Sequence, residues 1–131
     1  MTENDALRAA NAAYYRAFTR RDADAMSRLW AQDDVSCVHP GWPPIVGRDA
    51  VLASYRDIFR YPLQEEIELG AETLIRAAND GRIVCIEKLG GTLLVATNWF
   101  RLVDAEWRLV HHQASLLAAS PAETKPASTR H

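Results

Sequence analysis

Four histidines occur in the 131-residue sequence, and one of them, His39, ends a short apolar run immediately before Pro40. An imidazole that is neutral near pH 7 can take a proton, and apolar surroundings keep it neutral by disfavouring the charged ring. Cys37 lies two residues earlier, on the same side if the segment is a strand. The pair offers two further chemistries. With His111, a thiolate and imidazoles would suit zinc. Alone, Cys37 and His39 could form a nucleophilic dyad. No carboxylate or histidine stands at a tight, motif-like spacing to either residue, and sharing a strand face is a weak basis for a dyad. Proton transfer is the sharper expectation, with no metal and no cofactor. Asn98 is the second polar residue of note, on a strand face otherwise made of Leu94, Ala96, Phe100 and Leu102. An amide there needs partners or costs roughly 1–3 kcal/mol. A pocket wall and a buried structural bond satisfy that need equally well.

The elements that must position these groups follow from periodicity. Leu7, Ala10, Tyr14 and Phe18 recur at helical steps, with Asn4 or Asp5 as cap, and only one of Tyr14 and Tyr15 is expected to point squarely inward. A second helix starts at Asp22 with Met26, Leu29 and Trp30 on one face. Val35–His39 reads as a strand, Pro40-Gly41-Trp42-Pro43-Pro44 breaks it, and Ile45-Val46 pairs back. A third helix runs from Asp49 to Arg60, with Val51, Leu52, Tyr55, Ile58 and Phe59 as its apolar stripe and Pro62 as its stop. From there the period changes to two. Strands are expected over Leu63–Leu69, Ala71–Ala78, Ile83–Leu89, Thr92–Val103 and Trp107–Ser115, separated by turns at Asn79-Asp80-Gly81, Gly90-Gly91 and Asp104-Ala105-Glu106. Helices first and strands afterwards make the class α+β. The expected domain spans residues 1–117, and residues 118–131, rich in Pro, Ala, Ser and Thr, read as a disordered tail.

Composition narrows the function classes. A net charge of −2 gives no broad basic field, so neither nucleic acid nor an anionic membrane is an expected partner. The two cysteines form no CxxC pair, and each lies in an apolar run where free thiols are usually buried. The acidic first residues are unlike a secretory leader, and no apolar run approaches the ~20 residues that span a bilayer. A cytoplasmic protein is the expectation.

Trp30 to Gly41 followed by Gly47-Arg48-Asp49-Ala50-Val51 resembles the SnoaL-like pattern of helix, strand, His-Pro-Gly and a glycine before the third helix. Ala96–Phe100 and Trp107–Ser115 resemble the last two strands of that pattern. The chain thus resembles the NTF2-like superfamily, including its ketosteroid-isomerase-like and SnoaL-like members, over residues 5 to 117. The resemblance implies three N-terminal helices in a curved, mostly antiparallel sheet, a cone enclosing a pocket for a small organic molecule, and a homodimer through the outer sheet face. Ketosteroid isomerase has a carboxylate base where His39 stands, a tyrosine donor matching Tyr14, and a protonated aspartic acid where Asn98 stands. The resemblance therefore implies His39 as base and Tyr14 and Asn98 as donors to a carbonyl oxygen, in an isomerase, dehydratase or cyclase. Binding without chemistry and assembly through the outer sheet remain the alternatives.

Cys37, Trp42, Tyr55, Phe59, Phe100, His111 and Gln113 are the expected ligand-binding residues. In the last strand Trp107, Leu109, His111, Gln113 and Ser115 share one face; Arg108, Val110, His112 and Ala114 share the other. The Trp-Leu face is the expected cavity wall, which puts His111 inside and His112 outside; the reverse assignment would exchange them. Trp42 lids the pocket or anchors a turn, and Tyr14 is a core residue with a hydroxyl that reaches a partner.

Overall fold

The protein is described by a computed structural model covering residues 2–61 and 66–118. Helix α1 (Glu3–Thr19) is capped by Thr2, whose hydroxyl accepts from the Asp5 amide while the Asp5 carboxylate accepts from the Thr2 amide. The cap thus lies two residues before the earliest expected one, because a threonine with an acid three residues on satisfies two orphan amides at once. Asp22 caps α2 (Ala23–Leu29) as expected. Trp30 leaves that helix and instead bridges to Leu109. After β1 (Ser36–Val38) and β2 (Ile45–Val46) the chain enters α3 (Arg48–Phe59) through Gly47, whose φ of 101° only glycine adopts readily.

The rest is a meander of β3 (Ile67–Ala77), β4 (Asp80–Leu89), β5 (Thr92–Val103) and β6 (Glu106–Leu116). Where two strands were expected over Leu63–Leu69 and Ala71–Ala78, one strand forms with an irregularity between Leu69 and Glu72. A bulge at Gly70-Ala71 bends a strand without ending it. Residues 62–65, including the expected stop at Pro62, and the tail from 119 onward lie outside the described residues. The sheet order is β2-β1-β6-β5-β4-β3, with β1 and β6 parallel and every other pair antiparallel.

The three helices rest on one face of this curved sheet. Leu7, Tyr14, Met26, Val51 and Tyr55 from the helices meet Ile83, Cys85, Ala96, Phe100, Leu109 and Ala114 from the strands in a single core. Tyr14 and Tyr15 are both buried, against the expectation of one, because the sheet curves around α1 and receives more than one of its sides. No helix among the described residues is long and apolar enough to cross a membrane.

The last strand departs from simple alternation. Trp99 pairs with His111 but Phe100 pairs with Leu109, so Val110 is an extra residue in β6. Before it Trp107 and Leu109 face the core; beyond it His112 and Ala114 do. The bulge reverses the phase of everything that follows. His111 and Gln113 therefore do not line the cavity, and His112 does.

Candidate active site

A cavity of about 180 Å³ opens between the helices and the sheet, lined by Tyr14 and Phe18 of α1, His39, Pro40 and Trp42 after β1, Ile58 of α3, Ile67, and Glu87, Leu89, Leu94 and His112 from the strands. Its walls are apolar apart from four groups: one phenol, two imidazoles and one carboxyl. Trp42 is 41% exposed and stacks edge-on against His39, so it stands at the rim.

His39 follows β1, whose parallel pairing with β6 sets Cys37 opposite His112. The His39 and His112 ring centres lie 6.3 Å apart. His39 Nε2 is 2.9 Å from Ser54 Oγ, and the Ser54 hydroxyl donates to the Val51 carbonyl at 2.6 Å. Having spent its one proton there, Ser54 can only accept from the ring, so His39 carries its proton on Nε2 and keeps Nδ1 as its lone pair. Burial lowers the His39 pKa to about 4. His112 falls to about 3, through burial first and then the neighbouring His39 and His111. Both rings are neutral at pH 7 and able to accept a proton.

Glu87 is 2% exposed, and burial raises its pKa; the Tyr15 hydroxyl, donating to it at 2.5 Å, opposes that rise. Tyr14 lines the cavity, and its hydroxyl shares a 2.7 Å hydrogen bond with Tyr55. When Tyr55 donates, the Tyr14 proton is available to a ligand oxygen. Burial holds both phenols well above their ordinary pKa, so both stay protonated.

Of the residues expected to act together, His39 and Tyr14 meet at the cavity and Asn98 does not. Asn98 is fully buried beneath it, with its amide donating to Asn11 Oδ1 at 2.8 Å and Tyr15 Oη at 2.9 Å and its oxygen 2.5 Å from His112 Nδ1. Its hydrogen-bonding capacity is committed inside the protein, so it cannot serve as a donor to a ligand. Trp42 lines the cavity as expected. Cys37, Tyr55 and Phe100 are buried core residues behind its lining, and Phe59 packs against that core. Burial pushes the Cys37 thiol up to about 12, which leaves no thiolate for a dyad with His39. Outside, His111 Nδ1 lies 2.7 Å from Ser36 Oγ and its Nε2 3.3 Å from Gln113. Among the described residues no group of three His, Cys, Asp or Glu side chains is placed to hold a metal ion.

Glu87, Ser54, Asn11 and Glu72 went unnoticed in the sequence. Glu87 alternates in phase with Ile83 and Cys85, Asn11 lies four residues after Leu7 on the buried side of α1, and Ser54 sits between Val51 and Tyr55. A polar residue in phase with an apolar stripe was the available signal. A separate, larger groove of about 920 Å³ runs past Trp30, Arg28, Arg48 and Arg108. There the Arg48 guanidinium holds the carbonyls of Ser27, Trp30 and Ala31, and Arg108 holds that of Arg28. These arginines fasten α2 in place, and the groove offers no imidazole; the smaller cavity is the candidate site.

The description "SnoaL-like domain" belongs to the family model that matches residues 7–119. Among solved structures, a candidate dehydratase of the NTF2-like family from Streptomyces avermitilis is 35% identical, covers 88% of this chain and 96% of its own, and superposes with a TM-score of 0.78. A candidate calcium/calmodulin-dependent protein kinase type II association domain from Thiobacillus denitrificans is also 35% identical, with 84% and 94% covered and a TM-score of 0.78. F-box protein SKIP8 of Arabidopsis thaliana is 26% identical over 118 residues, 86% of this chain; the chain spans 50% of that protein's length.

Proposed function

Because this chain belongs to the SnoaL-like family of the NTF2-like superfamily, we propose that it is a cofactor-free proton-transfer enzyme acting on a small, uncharged carbonyl compound. One observation carries the reading: two neutral imidazoles line the same largely apolar cavity, His39 with Nε2 committed to Ser54 and His112 with Nδ1 committed to Asn98, and only the weakly hydrogen-bonding Cys37 thiol, 3.8 Å away, approaches His39 Nδ1. His39 Nδ1 takes a proton from the carbon beside the carbonyl, and Tyr14 donates to the oxygen as it gains charge. The electron pair then forms the new double bond. In an isomerisation the proton returns to the far carbon; in a dehydration Glu87 protonates the departing hydroxyl and water leaves. The candidate dehydratase from S. avermitilis favours the second outcome as the natural one.

The size and chemistry of the cavity bound the substrate. At about 180 Å³ it falls below the roughly 300–1,000 Å³ of pockets for drug-sized ligands. A single small ring fits, and a steroid does not. The described lining holds no lysine or arginine, so a carboxylate or phosphate would be desolvated beside Glu87 with no countercharge. Two probes give one optical readout: 3-hydroxycyclohexanone dehydrates, and cyclohex-3-enone isomerises, to the same conjugated enone. Conversion of either above the buffer rate supports the proposal. If neither converts and neither exchanges its α-protons with D₂O while thermal shifts report binding, the site is a receptor.

We also propose a cytoplasmic homodimer. Its two buried free cysteines suit a reducing compartment. Ile75, Trp99 and Val103 stay 36–41% exposed on the sheet face away from the helices, with the Arg82 guanidinium 5.2 Å over the Trp99 ring. Light scattering at micromolar concentration should give twice the chain mass, and Trp99→Lys should halve it. A wild-type monomer would dispose of the dimer.

A further inference from the structure

The polar residues beneath the cavity form a chain whose direction can be read from end to end. Glu72 on β3 accepts from Asn11 Nδ2 at 2.9 Å. That fixes the Asn11 amide with its oxygen toward Asn98, which donates to it at 2.8 Å. The second hydrogen on Asn98 Nδ2 goes to Tyr15 Oη, and Tyr15 passes its own proton on to Glu87. Both branches end on a carboxyl oxygen, so both require the Asn98 nitrogen to face them. The Asn98 oxygen is thereby left facing His112, and an oxygen can only accept. The ring must offer a proton on Nδ1.

From this geometry we infer that His112 is a second proton-transfer group of the cavity, acting through Nε2, and that Glu72 is a positioning residue that sets its tautomer through Asn11 and Asn98. The two cavity imidazoles are then held in opposite tautomers, His39 through Ser54 and His112 through Asn98. Around His112 the titratable side chains are His39 at 6.3 Å and Tyr14 at 5.0 Å between ring centres, with Cys37 opposite it across the β1–β6 pair, Glu87 in the same lining and His111 beside it on the other face of the sheet. None of them offers a hydrogen bond that competes with Asn98 for Nδ1. Glu72 is only partly buried and stands at the outer end of the chain, so it can be changed without opening the core.

The use of Nε2 in chemistry rests on the proton-transfer reading, whereas the tautomer does not, and the test separates them. Long-range ¹H–¹⁵N spectra of the imidazoles, with His112 assigned from a His112→Gln sample, should show its Nδ1 protonated and its Nε2 pyridine-like in the wild type. Glu72→Lys replaces an acceptor by a donor and favours a reversed Asn11 amide; the His112 tautomer ratio should move toward Nε2–H by roughly tenfold, about the effect of one hydrogen bond. Glu72→Gln keeps an acceptor and should keep the wild-type tautomer, which a merely structural role for Glu72 would not distinguish from Lys. Turnover of a converted probe should fall with Glu72→Lys in kcat more than in KM. A wild-type His112 protonated on Nε2, or a tautomer ratio indifferent to Glu72→Lys, would overturn the inference even if the probes are converted.

Discussion

His39→Ala will lower kcat for a converted carbonyl probe by roughly 10²–10⁴-fold while changing KM far less, because a positioned base acts on the transition state and little on binding. The ring is small, and its loss beside Trp42 widens the rim without removing an apolar anchor. The pH dependence of kcat/KM identifies the group. His39 must be neutral to act, and burial holds its pKa at about 4. The rate should therefore be level from pH 7 to about 5 and decline only as the pH passes through about 4. An acid limb near the ordinary histidine value of about 6.5 would mean that a solvated imidazole, not this one, is the base.

Acid should also unfold this protein earlier than its charge balance suggests. Both buried rings titrate near 6.5 in the unfolded chain but only at about 4 and about 3 when folded. Below pH 6.5 the unfolded chain binds two protons that the folded protein refuses. The stabilisation from the neutral rings is complete above 6.5 and is lost progressively as the pH falls toward 4. Integrated from pH 7 to pH 5, it amounts to about 2 kcal/mol per ring and roughly 4 kcal/mol together. Glu87 works in the opposite sense: its raised folded pKa adds stability at low pH, which is lost as pH rises through that value, so it offsets part of the loss. Urea unfolding at the two pH values measures the difference, and His112→Gln should shrink it by about half. Equal midpoints at pH 5 and pH 7 would show that the rings protonate in place.

Most of the architecture was legible in the sequence because it rests on periods that composition states openly. Val51, Leu52, Tyr55 and Ile58 announce α3, and the switch to alternation after it announces the sheet. His39 was legible for the same reason: it lies two residues after Cys37 along an extended segment, and alternation puts both on one face. What failed was phase across β6. Val110 is neither glycine nor proline, and nothing in Trp107–Ser115 marks one of its residues as supernumerary. The bulge is a property of how β5 and β6 fit together, and it exchanged the faces on which His111 and His112 were expected. Asn98 failed differently. Its burial was read correctly, but whether a buried amide faces a ligand or a neighbour depends on Asn11, Tyr15 and Glu72, which are 87, 83 and 26 positions away in the chain. Single-strand patterns carry no information about such partners.

The extra residue in β6 also bears on how this site can change. Two adjacent imidazoles straddle the sheet, one inside and one out, and a slip of one position would trade them. Removing Val110 would leave Leu109, His111 and His112 alternating in, out and in, so the deletion would straighten the strand and keep His112 inside, whereas straightening it with Val110 retained would turn His111 inward. The interior chemistry of this strand is thus written in its alignment with β5 as much as in its letters, so that a one-position slip between the two strands is a larger chemical event than most substitutions.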